Sequence, residues 1–73
     1  MNNELALGKY EHYKGALVEV TGVARHSETL EEMVVYKHLN TGEWWVRPLN
    51  MFIEMVEVGG VRVPRFKKMD GVE

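Results

Sequence analysis

The chain of 73 residues contains no cysteine. Disulfide staples and thiolate metal sites are therefore excluded, and a chain this short has little apolar core with which to offset the entropy of folding. No apolar run approaches the roughly 20 residues that a membrane helix requires. Nor does one sign of charge dominate. Nine Lys and Arg stand against eleven Asp and Glu, for a net charge of -2 and a pI near 5.9. That balance argues against strong non-specific attraction to nucleic acid, although a local basic patch acts independently of the total. Residues Met1 to Gly8 lack the basic start and apolar centre of a secretory leader. The absence of cysteine is compatible with the cytosol, and a cytoplasmic location is expected.

What is present suits a single small globular domain, because 45% of the residues are apolar. The domain is expected over residues 8–67, with 1–7 and 68–73 as loosely ordered ends. Gly8 to Tyr13 is a short aromatic strand candidate, closed by Lys14-Gly15. Leu17 to Arg25 is a clearer strand, in which Val18, Val20 and Ala24 share one parity. Gly22 interrupts it at a natural place for a bulge. Met33 to Leu39 is β-branched and aromatic. Asn40-Thr41-Gly42 reads as a turn, and Glu43 to Arg47 as the next strand. Pro48 stops that ladder and opens one helical turn, Pro48 to Phe52, from which Met51 and Phe52 are expected to plug the core.

Two matched runs flank Gly59-Gly60, a strong two-residue turn signal. In that register Val58 faces Val61, Val56 faces Val63, Glu57 faces Arg62 and Glu54 faces Arg65. Two apolar pairs and two opposite-charge pairs agree on one alignment. The whole pattern predicts a mainly β domain: a small five- to six-stranded antiparallel SH3-like barrel with one short helical turn. An open sheet with a short helix over 27–33 competes, since Thr29 and Glu32 have capping-box spacing.

Several blocks are familiar together: G-K-Y-E-H-Y-K-G at 8–15, V-A-R-H-S-E-T-L-E-E at 23–32, M-V-V-Y at 33–36, W-V-R-P-L at 45–49, M-F at 51–52, V-E-V at 56–58 and V-P-R-F at 63–66. In that order they resemble the small bacterial family called domain of unknown function 1653. The resemblance implies a compact, mainly β, cytoplasmic bacterial domain. It brings no substrate, reaction or catalytic residue, so a functional reading rests on the side chains themselves.

The segment Arg25 to Glu32 concentrates a guanidinium, an imidazole, hydroxyls and carboxylates between two strands. His26-Ser27 suggests a base beside a nucleophile, with Glu28 as orienter, but no glycine-rich elbow surrounds Ser27. The plainer reading is that Ser27 caps a turn. Glu28, Glu31 and Glu32 suit a solvated loop or a helix start. His12, His26 and His38 have no compact metal spacing, so no metal and no cofactor are expected. Of the adjacent tryptophans one must face inward, and Trp44 is expected to be the more exposed, although Trp45 shares its parity with Arg47. Lys67-Lys68, after Arg62 and Arg65, is a modest basic tail.

Arg25 and Arg47 end predicted strands, where they can fork onto a phosphate or carboxylate or pair with a glutamate. The expected ligand-binding set is Arg25, His26, Ser27, Glu28, Tyr36, Trp45 and Arg47. It describes a non-enzymatic binding module for a nucleotide, a nucleic-acid strand, a peptide carboxylate or another planar or anionic group. A small hydrolase or transferase centred on His26, and a protein–protein adaptor, are the alternatives. The domain is expected to be a monomer or weak homo-oligomer with no membrane partner.

Overall fold

The structure is a computed structural model that describes residues 5–69. The strands are β1 (Gly8–His12), β2 (Leu17–Arg25), β3 (Glu32–His38), β4 (Trp44–Pro48), β5 (Met55–Val58), β6 (Val61–Pro64) and β7 (Phe66–Lys68), with α1 (Leu49–Phe52) between β4 and β5. Five strands form one antiparallel sheet in the order β4-β3-β2-β1-β7, and β5 and β6 form a separate ribbon.

One face of the sheet carries the core: Tyr10, Val18, Val20, Val34, Tyr36 and Phe66, closed over by Phe52 of α1. Phe52 stacks on Phe66 at 4.1 Å and meets Tyr10 edge to face at 5.3 Å. The sheet curls strongly about this core, since Arg47 on one edge strand lies 5.6 Å over the ring of Phe66 on the other. It stays open as a ladder: among the described residues no strand pairing joins β4 to β7. The architecture is therefore mainly β with one short helix, and the hydrogen-bonded ring of a closed barrel is not formed.

Curling needs a break in the pleat, and Gly22 provides it. Val20 pairs with Tyr36, but Gly22 pairs with Val35 and Val23 with Val34, so Thr21 is the extra residue of a bulge. The bulge also reverses the alternation. Val23, not Ala24, lies opposite the buried Val34, which corrects the parity expected from an unbroken strand.

Pro48 ends β4 and caps α1 with φ -53° and ψ 139°. Leu49 and Phe52, three apart on this turn, pack on the core together. Met51 is 43% exposed, because adjacent helical residues point about 100° apart. The second core plug is thus Leu49 rather than Met51. Residues 26–31 form a tight turn, with Leu30 at φ 64°, and not the alternative helix over 27–33.

The ribbon has the register read from the sequence, with Val58 opposite Val61, Val56 opposite Val63 and Glu57 opposite Arg62. Arg65 and Glu54 form an ion pair at 3.3 Å. Gly59 and Gly60 both have positive φ, 58° and 83°, as a type I′ turn requires. A Cβ at Gly60 meets nothing within 4 Å, so Gly60→Ala is strained through its backbone alone. It should destabilise the turn by about 1–2 kcal/mol. Amide exchange should accelerate in residues 55–64 while β1 to β3 stay protected; equal acceleration throughout would mean that the ribbon and sheet open as one unit.

The expected loose ends are partly tied down. Leu5 packs against the core, and Tyr10 donates its hydroxyl to the Ala6 carbonyl at 2.7 Å. Lys68 pairs with Tyr10, and the Met69 amide donates to the Lys9 carbonyl at 2.9 Å. Residues 1–4 and 70–73 of those ends lie outside the described residues.

Candidate functional site

Side chains two apart on a strand share a face. Tyr36 is in the core, so His38 must lie on the same side of β3. Tyr10 places His12 likewise on β1. Tyr36 pairs with Trp45, and Val34 with Arg47, which brings both β4 side chains to that inner face. Trp44 and Val46 point to the outer face, where Lys37 lies 5.6 Å from the Trp44 ring. Trp44 is 58% exposed and Trp45 50%, so both tryptophans are half open to solvent on opposite sides of one edge strand.

On the core face the rings form a row whose middle, Tyr36 and Phe66, is buried and whose ends, Trp45 and Tyr13, reach solvent. Trp45 contacts His38 at 5.6 Å, and His38 contacts Tyr36 at 5.9 Å. Tyr36 meets Phe66 at 5.7 Å, Phe66 meets His12 at 4.9 Å, and His12 leans on Tyr13 at 4.6 Å. The row runs from β4, by way of β3 and β7, to the end of β1. Arg47 crosses it. Its Nε donates to the Tyr36 hydroxyl at 3.5 Å, at the long limit of a hydrogen bond, and its guanidinium covers Phe66. Both of these holders are uncharged, so neither neutralises the arginine.

His12 receives the Lys14 amide on Nδ1 at 3.1 Å. Its pKa is pushed below the usual imidazole value, first by burial and then by Arg47, Arg65, Lys14 and His38. Four cationic or protonatable groups from four parts of the chain thus reach one imidazole. Of these, Arg65 is paired with Glu54. His12 and Tyr13 also border a groove of about 440 Å³ that continues between Glu11, Lys67 and the ribbon residues Val58, Val63 and Pro64.

Of the seven residues singled out from the sequence, the structure brings Tyr36, Trp45 and Arg47 together. It does not bring Arg25, His26, Ser27 and Glu28 to them. Those four sit in the β2–β3 connection, where the bonds of Arg25 and His26 stay local. Arg25 Nη1 donates to the Leu30 carbonyl at 3.2 Å. His26 Nδ1 accepts from the amides of Glu28 and Thr29 at 3.1 and 3.3 Å, and Thr29 Oγ1 accepts from the Glu31 amide at 3.1 Å. The imidazole is exposed and fixes a turn with the nitrogen that a general base in a triad uses to bind its orienter. A hydrolase centred on His26 lacks that support here, because Glu28 reaches His26 through its backbone amide. The loop's density of polar side chains reflects the need to satisfy a tight turn with positive φ at Leu30.

Sequence reasoning missed His12, His38, Tyr13 and Phe66 as members of the row. The signal was available for two of them, since His12 and His38 each stand two positions beyond a tyrosine in a predicted strand. Phe66 was hidden because its three-residue strand is too short for a periodicity. Among the described residues no group of three or more histidine or carboxylate side chains is placed to hold a metal ion.

Comparison with known proteins gives a family and a fold. Residues 8–68 match the profile of a family described as a protein of unknown function, DUF1653. The crystal structure of a DUF1653 protein from Bordetella bronchiseptica is similar, with a TM-score of 0.85 and 34% sequence identity over 96% of this chain and 94% of that one. No curated protein matches.

Proposed function

This chain belongs to the DUF1653 family, whose description carries no activity, and on the geometry of its own side chains we propose that it is a non-enzymatic binding module for a planar, negatively charged group such as a nucleotide or a nucleic-acid strand. The observation that carries this reading is the inner edge of β4. There a half-exposed Trp45 continues a row of rings, and Arg47 is held over that row by uncharged partners. Rings offer stacking area that tolerates any base, and a guanidinium supplies charge and a fork of donors. The contacts between β4 and β7 side chains also support reading the curled sheet as an incompletely closed barrel of the SH3-like kind. A protein–protein adaptor is the second reading. It draws support from Ile53, Met55, Val58 and Val61 on and beside the ribbon, each at least 43% exposed.

Titration with nucleotides and short single strands, followed by amide NMR shifts, tests the first reading. Shifts should concentrate at 36–38 and 45–47 and spare residues 26–30. Absence of any shift at 36–38 and 45–47 with every nucleotide and strand would overturn it.

A further inference from the structure

The inner-face site has two chemically different ends, and their difference specifies how a ligand would lie. At the β4 end the accessible surface is a ring, Trp45, backed by His38 at 5.6 Å. At the β1 end the surface is a pair of basic side chains around Phe66. Arg47 covers the face of that ring at 5.6 Å, and His12 meets it edge to face at 4.9 Å. Phe66 is thus clasped from β4 and from β1 by two groups that can both donate hydrogen bonds to an anion. Resting on the binding-module reading above, we infer that Arg47 and His12 form its anion subsite, taking a phosphate- or sulfate-like group of a ligand whose planar part lies on Trp45.

The basic groups that act on His12 come from four parts of the chain. They are Arg47 from β4, His38 from β3, Lys14 from the turn after β1, and Arg65 from the junction of β6 with β7. Glu54 answers Arg65 by an ion pair. In the groove Glu11 and Lys67 stand opposite each other in the register of β1 and β7. Tyr13 and Tyr36 supply phenol rings. The groups that act on His12 electrostatically are therefore all basic, and they hold its pKa below the usual value after burial has already lowered it. An anion placed between Arg47 and His12 answers that excess. It stabilises the imidazolium, so binding and protonation assist each other.

The sign follows directly. Neutral His12 predominates at pH 7 and gains its proton as the pH falls through a midpoint below about 6.5. A bound anion must raise that midpoint, and anion affinity must increase as the pH falls. The gain is about tenfold for each pH unit by which the midpoint rises.

The probes are inorganic sulfate, whose charge is constant over this range, adenosine, and adenosine monophosphate. The His12 ring protons are followed by NMR against pH in the intact chain. Sulfate and the monophosphate should raise the His12 midpoint, and adenosine should leave it unmoved while shifting Trp45. His12→Gln should remove the pH dependence of sulfate affinity while the Trp45 response to adenosine persists. If that variant does not fold, the wild-type His12 titration decides alone. A monophosphate that shifts Trp45 but leaves the His12 midpoint unchanged overturns the anion subsite and leaves the binding module standing. No response at Trp45 or His12 to any probe removes both.

Discussion

Phe52→Ala should strip the domain of a large share of its stability and bring its urea midpoint down sharply. Phe52 is 1% exposed, stacked on Phe66 and in contact with Tyr10 and Tyr36. Truncating a buried phenylalanine costs about 3–5 kcal/mol. At about 0.05–0.15 kcal/mol per residue, the whole domain has only about 4–11 kcal/mol to lose. Collapse of the neighbours cannot repair the loss, because Phe52 enters the core from a single helical turn fixed by Pro48 on one side and the Glu54–Arg65 ion pair on the other. Urea unfolding followed by circular dichroism measures it. Phe52→Leu should lose far less, since most of the volume is retained. A Phe52→Ala midpoint close to wild type would mean that the sheet does not depend on its cover.

Trp45→Ala should abolish most ligand affinity and spare the fold. Stacking of one base on an aromatic side chain is worth about 1–3 kcal/mol, or about 5- to 150-fold in affinity. The same substitution removes a ring already half open to solvent on an edge strand, so its effect on stability is expected within about 1 kcal/mol. Trp44→Ala is the matched control. It deletes an equally exposed indole from the same strand, but on the outer face beside Lys37. Calorimetric titration with a short single-stranded oligonucleotide distinguishes the two. Trp45→Ala should weaken binding and Trp44→Ala should not. Equal losses would move the site from the inner face to the edge itself.

The ribbon was legible because two kinds of pairing, valine with valine and acid with base, pointed to the same turn. Leu17–Arg25 was legible for the opposite reason, its continuity, and Gly22 marked the bulge within it. What an alternating pattern cannot convey is what a bulge does next. Thr21 adds one residue, and every side chain beyond it changes face. That is why Ala24 shares a parity with Val18 and Val20 in the sequence, whereas Val23 is the residue opposite Val34. The site was legible along β4, where Trp45 and Arg47 share a parity with each other and a row with Tyr36. It was not legible across the opening of the sheet. His12 and Phe66 reach Arg47 only because the sheet curls, and curl is a property of the assembled strands. The polar loop at 25–32 misled for a local reason. A turn with positive φ at a leucine consumes His26 Nδ1 and Thr29 Oγ1 in its own support.

Pairing of β1 with β7 has a consequence for how the protein is made. On the ribosome β1 emerges well before β7, with 57 residues between the paired Tyr10 and Lys68. Until then one side of β1 has no neighbour, and Phe52 has no ring to stack on. Until β7 has been made, β1 therefore presents an uncovered edge, where adhesion to another chain is most favoured. Folding is completed only when Phe66 docks, and the ring that seats the core is the one that also seats Arg47.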